Sequence, residues 1–92
     1  MANAQFKVGR RTIEVFGPRA EQVAHLLELD GERAAIELQK RIAAHVADGE
    51  AGEDVVELEG DQARHLREAL DRLAAAAKDM PADLDELRGA LS

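Results

Sequence analysis

The stretch 55–77 constrains the fold of this chain more than any other, because it joins a strand pattern directly to a helix pattern. Val56 and Leu58 fall on one face of an extended segment and Glu57 falls on the other. Such a two-residue period is typical of a half-buried strand. The pattern predicts a strand at 54–59.

A helix is predicted to follow at 62–77. Gly60 ends the strand, and Asp61 is expected to cap the helix by accepting hydrogen bonds from amides of its first turn. Apolar residues then recur at steps of three and four, which places them along one side of the helix. They are Ala63, Leu66, Leu70, Leu73 and Ala77.

These five residues form a candidate interaction seam, because an apolar stripe needs a partner surface. The partner is either a second copy of the chain or the rest of the same subunit, and periodicity does not separate these alternatives. The other faces of the helix carry the pairs Arg64/Glu68, Arg67/Asp71 and Glu68/Arg72, each four residues apart. Such pairs contribute about 0.2 to 0.5 kcal/mol each and keep the outer face polar.

The N-terminal segment predicts a β-hairpin. Apolar and polar residues alternate in 5–8 and in 11–16. A two-residue loop at Gly9 and Arg10 would pair Phe6 with Ile13 and Ala4 with Val15. Glycine in the first loop position suits a type II′ turn, which requires a positive φ there. Residues 1–4 are expected to form a loose end.

Two helices are predicted between the hairpin and the third strand, at 18–29 and at about 31–47. Pro18 suits the first helical position, since its missing amide hydrogen has no helical partner there. Asp30 and Gly31 interrupt the pattern. One continuous bent helix is the alternative, because an internal glycine costs only about 1 kcal/mol.

The remaining segments complete a single domain, 1–92. An acidic loop is expected at 48–54, and Pro81 separates the helix at 62–77 from a short tail helix. The apolar residues of that tail helix are Leu84, Leu87 and Leu91. Three strands with one apolar face covered by helices give a small two-layer α+β domain.

Charge is unevenly distributed along the chain. The net charge is −7, but residues 1–19 carry +3, so residues 20–92 carry −10. The overall charge disfavours general attraction to nucleic acid or to anionic lipid. A candidate basic contact patch nevertheless lies around the hairpin turn, and it makes a nucleic-acid-binding regulator the alternative function. The patch consists of Lys7, Arg10, Arg11 and Arg19.

Nucleophilic catalysis is not expected from this composition. The only hydroxyl side chains are those of Thr12 and Ser92, and the chain has no cysteine or tyrosine. A Ser/His/Asp or Cys/His site therefore has no plausible nucleophile. No glycine pattern resembles a phosphate-binding or dinucleotide-binding loop. We expect no enzymatic activity and no cofactor.

The histidines are weak candidates for metal binding. His25, His45 and His65 are spaced twenty residues apart. Glu21/His25 and Asp61/His65 are each four apart, so either pair could offer two ligands from adjacent helical turns. Acidic helices produce such pairs by chance, and His45 is also explained as a cation near a helix C-terminus. No metal site is therefore expected.

These patterns together favour a non-enzymatic protein-protein interaction or regulatory module, expected to be homodimeric. The composition suggests a bacterial source, and the lack of cysteine is compatible with a reducing cytoplasm. The longest apolar run has five residues, so no leader and no membrane span are expected.

Overall fold

The structure, a computed structural model, describes residues 4–48, 55–58 and 60–92. Three strands and four helices occur in these ranges and form an α+β fold with an N-terminal hairpin, as predicted. In chain order they are β1 (Ala4–Val8), β2 (Arg11–Val15), α1 (Gly17–Glu28), α2 (Arg33–Asp48), β3 (Val56–Glu57), α3 (Gly60–Ala76) and α4 (Ala82–Leu91).

The hairpin has the predicted register. Phe6 lies opposite Ile13 in the antiparallel pair β1/β2, and Ala4 lies opposite Val15. Gly9 has φ 62°, in agreement with the positive φ required at the first position of the loop. The expected loose end at 1–4 is wrong for Ala4, which is fully buried as the first residue of β1. Residues 1–3 lie outside the described ranges.

The third strand lies at an edge of the sheet, whose strand order is β2-β1-β3. It runs parallel to β1, with Phe6 opposite Val56 and Lys7 opposite Glu57. Of the predicted strand 54–59, the structure describes 55–58, and only two of these residues adopt strand conformation. The amide of Leu58 still donates to the carbonyl of Lys7 at 3.1 Å. The parallel pairing is possible because β2 returns the chain to the starting end of β1, and α1 and α2 then connect β2 to the other edge of the sheet.

Helices α1 and α2 are separate, so the alternative of one bent helix is wrong. Gly31 has φ +70°, a left-handed conformation that ends α1 and redirects the chain. At the other end, α1 begins with Gly17 and not Pro18, although Pro18 still lies in the first turn, where no amide hydrogen is needed.

Helix α3 begins at Gly60, which is earlier than predicted. Asp61 therefore lies inside the first turn, and its expected role as the cap is wrong. Its carboxylate instead lies 3.5 Å from Arg64, one turn further along the helix. A negative charge at this position still interacts favourably with the helix dipole.

One hydrophobic core lies between the sheet and the helices. The inward side chains of β1 and β2 are almost completely buried, whereas Lys7, Thr12 and Glu14 on the opposite face are exposed. The apolar residues of α2 pack into this core, with Val46 at its margin. The same core holds the tail helix. The core residues of α2 and α4 are Ala35, Leu38, Ile42, Leu84 and Leu87.

The expected acidic loop at 48–54 lies almost entirely outside the described residues. Among the described residues, no helix is both long and apolar enough to cross a membrane.

Gly31→Ala should lower the free energy of unfolding by about 1 kcal/mol, because a Cβ disfavours the left-handed conformation. Gly89→Ala provides the matched control. Gly89 lies inside α4 with open space around it, so alanine should raise stability by up to about 1 kcal/mol. Urea denaturation measures both. Equal destabilisation by the two substitutions would contradict the role given to Gly31.

Candidate functional site

The candidate interaction seam lies largely inside the subunit. Leu66 and Leu70 are fully buried and Leu73 is 8% exposed, because this face of α3 packs against α1, α2 and α4. Ala63 and Ala77 are half-buried at the two ends of the stripe. This burial favours the alternative in which the stripe is part of the chain's own core. The two alanines are the seam residues that retain surface for a second copy.

The candidate basic contact patch is divided between two environments. Arg19 donates to both carboxylate oxygens of Asp83 on α4, at 2.7 to 2.9 Å, and its guanidinium lies 5.1 Å from the centre of the Phe16 ring. The guanidinium of Arg11 in β2 lies 3.3 Å from the carboxylate of Glu86, which is also on α4. Lys7 and Arg10 are exposed and form no ion pair with another described residue. The structure thus uses two of the four basic residues to hold α4 against β2 and the start of α1.

Asp83 is the centre of this contact with α4. Burial alone would raise the pKa of its carboxyl group. Hydrogen bonds from Arg19 and from the amides of Phe16 and Leu84, together with the charge of Arg19, more than offset this and lower the pKa below its ordinary value. Asp83 is therefore a charged structural residue that joins α4 to the start of α1.

His25 and His45 occupy different environments. His25 is 74% exposed, and its Nδ1 lies 3.6 Å from Glu28 and not beside Glu21, the second ligand of the weak candidate metal pair. His45 is buried, and its Nε2 accepts a hydrogen bond from the amide of Gln5 at 3.3 Å. His45 lies in the last turn of α2, near the helix C-terminus as expected, and it also satisfies a backbone amide of β1.

His65 lies in a buried polar cluster that local sequence spacing does not reveal. Its Nδ1 atom is 3.4 Å from Oδ2 of Asp30 and 4.0 Å from Oε2 of Glu68. Arg72 donates to the other oxygen of Asp30 at 2.5 Å. Asp61, the second ligand of the other weak candidate metal pair, is not part of this cluster. We call Asp30, His65 and Glu68 the acid-histidine cluster.

The end of α1 positions Asp30 over α3. The amide of Asp30 donates to the carbonyl of Leu27 at 3.1 Å, which continues the last turn of the helix. The left-handed Gly31 then turns the chain away. Asp30 is consequently held at a fixed helix end, with its carboxylate against the face of α3 that carries His65.

Two buried atoms of the cluster lack hydrogen-bond partners. They are Oδ2 of Asp30 and Nδ1 of His65. The donor atoms of Asp30, His65 and Glu68 all lie within 4.8 Å of one another. Such a group can share a proton or hold a cation. A signal for Glu68 was present in the sequence, since it lies one helical turn from His65. No spacing pattern in the sequence relates either His65 or Glu68 to Asp30.

No family model, curated protein or solved structure matches the chain. Its function is therefore inferred from its own residues.

Asp83→Asn should lower the free energy of unfolding at neutral pH by about 1 to 2 kcal/mol. This is less than a fully buried charged pair would give, because Arg19 is 37% exposed. Asp85→Asn is the matched control, because Asp85 lies in the same first turn of α4 but is exposed. It should change the free energy of unfolding by less than about 0.5 kcal/mol.

The stability lost in Asp83→Asn should depend on pH. The folded-state pKa of Asp83 lies below that of the unfolded chain, about 3.9, so the stabilisation is complete above the unfolded value and disappears as pH falls through the folded value. Urea denaturation between pH 3 and 7 measures it. A difference between wild type and Asp83→Asn that stays constant down to pH 3 would exclude this contribution.

Proposed function

We propose that the chain is a non-enzymatic interaction module of the bacterial cytoplasm that recognises proteins through its surface, and first of all a second copy of itself. The supporting observation is a depression of about 290 Å³ between the hairpin and β3. Its lining combines a cation, Lys7, with an anion, Glu57, beside the apolar Leu58. A surface that carries both signs of charge is suited to pair with a copy of itself in an isologous contact.

The charge distribution around this depression supports self-association. Arg10 extends from the hairpin turn and is exposed, next to the depression. Of the acidic segment 48–61, the described residues with exposed carboxylates are Glu57 on β3 and Asp61 in the first turn of α3. The basic hairpin of one copy would therefore steer toward the acidic segment of the other. Such attraction between exposed charges weakens as salt shortens the Debye length to about 10 Å at 0.1 M.

Two exposed apolar side chains give further contact area. Phe16 is 37% exposed at the junction of β2 and α1, and Leu29 is 68% exposed at the end of α1. Large apolar side chains contribute more to an interface than the polar residues around it. Isolated exposed apolar residues are also common on monomers, so the depression and its charges carry the proposal.

Self-association should be measurable by light scattering or sedimentation over a range of protein and salt concentrations. We expect a dimer that dissociates more readily as salt rises. Arg10→Glu should weaken dimerisation at low salt, because it reverses a charge beside the depression. Lys40→Glu makes the same charge change on the exposed face of α2 and should leave the dimer intact. A monomer at high micromolar concentration under all salt conditions would exclude the homodimer.

Nucleic-acid binding is the alternative function, and the basic contact patch supports it less well than its sequence suggests. Arg11 and Arg19 are engaged by α4, which leaves Lys7 and Arg10 as cations without a described ion-pair partner. Two phosphate contacts would give weak binding with only a modest salt dependence, because the salt dependence grows with the number of phosphates that the protein neutralises.

Fluorescence anisotropy with random duplex DNA at low salt distinguishes the two functions. We expect no saturable binding at micromolar protein, because the net charge of the chain is −7. Tight binding that is lost in Arg10→Glu but retained in Lys40→Glu would instead support the nucleic-acid alternative.

A further inference from the structure

We propose that the acid-histidine cluster is a binding site for a divalent transition-metal ion of the zinc class. The site would link the end of α1 to α3 through Asp30, His65 and Glu68. It does not depend on the proposed self-association, since the cluster lies within one subunit.

The spacing of the donor atoms suits a single ion. Ligands at about 2.0 to 2.2 Å from a tetrahedral zinc ion lie about 3.3 Å from each other. The nitrogen of His65 and the oxygen of Asp30 are 3.4 Å apart, so they already have this spacing. Glu68 is 4.0 Å from the same nitrogen, and its side chain is 45% exposed, which leaves it room to close the remaining gap.

The burial of His65 is an independent indication of a ligand. Its side chain is only 5% exposed, and Nδ1 points toward Asp30 and Glu68 without a hydrogen-bond partner. Leaving a buried polar atom unsatisfied costs about 1 to 3 kcal/mol. Oδ2 of Asp30 is unsatisfied beside it. One cation between these two atoms would satisfy both. The competing occupant is a proton on His65 that forms a buried ion pair with Asp30.

Two arginines lie next to the carboxylates of the site. Arg72 donates to Oδ1 of Asp30, and Arg64 lies 3.9 Å from Oε1 of Glu68. Each carboxylate therefore has one oxygen near an arginine and its other oxygen near His65. Hydrogen bonds to the outer oxygens of ligating carboxylates orient them toward a metal. The positive charges also oppose a cation, so we expect an affinity well below that of a closed structural zinc site.

The type of ion follows from the ligands. An imidazole nitrogen with two carboxylates favours zinc or a similar transition metal over magnesium, which prefers oxygen ligands and retains water. Three protein ligands leave a fourth position of a tetrahedral ion for water. The partly exposed side of the cluster, between Glu68 and Arg72, is where this position would face solvent.

Isothermal titration of the chelator-treated full chain with Zn²⁺ tests the proposal. We expect one ion bound per chain and a rise in the thermal midpoint on addition of Zn²⁺ but not Mg²⁺. His65→Gln and Glu68→Gln should each weaken binding at least tenfold. Glu68 is partly exposed, so its substitution should preserve the fold, as circular dichroism would verify.

His25→Gln is the matched control. His25 and Glu28 are also three residues apart on a helix, at 3.6 Å, but both are exposed, and within the described part of the chain no second carboxylate forms a cluster with them. This variant should bind Zn²⁺ as the wild type does. The proposal is overturned if Zn²⁺ does not bind below millimolar concentration. It is also overturned if His65→Gln and Glu68→Gln bind as tightly as the wild type, since zinc would then bind elsewhere and the cluster would hold only a proton.

Discussion

The pairing of Phe6 with Ile13 in the hairpin determines which face of the sheet is apolar, and the helices pack according to that choice. Shifting the register of one strand by one residue would turn the apolar side chains of that strand to the opposite face of the sheet. With this register, the apolar faces of β1 and β2 point the same way, and Val56 of β3 joins them. A chain of this size buries only about 60 to 70% of the surface that its unfolded form exposes. It therefore depends on all its apolar stripes sharing this one core.

Charged contacts hold the last helix in place around that core. α4 is joined to the start of α1 by Arg19 and Asp83, and to β2 by Arg11 and Glu86. A third contact, between Arg88 and Asp71 at 2.7 Å, joins it to α3. The uneven charge along the chain thus has a structural use, because part of the positive N-terminal segment is neutralised by the acidic C-terminal helix. Exposed pairs of this kind are individually weak, and the buried Leu84 and Leu87 supply most of the attachment.

Local patterns in the sequence predicted the elements well and the charged contacts poorly. The hairpin register, the break at Gly31 and the apolar stripes follow from periodicity and turn geometry, which depend on neighbouring residues. On α3, Arg64 and Glu68 approach each other as expected, at 3.9 Å. Arg72 contacts Asp30 of a distant segment instead of Glu68.

The sequence patterns also failed to predict the acid-histidine cluster, because its residues come from distant segments of the chain. Asp30 and His65 are 35 residues apart and meet only after α1 and α3 have packed together. Helical spacing relates His65 to residues on its own helix, so it suggested Asp61 and could not indicate Asp30. Burial of His65 was equally hidden, because histidine on a helix that also carries exposed charges gives no signal of which way it faces.

The parallel pairing of β1 with β3 has a consequence for the order in which the fold assembles. Phe6 meets Val56 across about fifty residues of chain, whereas the hairpin closes a loop of two. The larger loop loses more conformational entropy on closure and gains only a two-residue strand in return. We therefore expect the hairpin to form early and β3 to dock late. The same edge should be the first part of the sheet to open in the native state, exchanging its amide hydrogens while the hairpin remains intact.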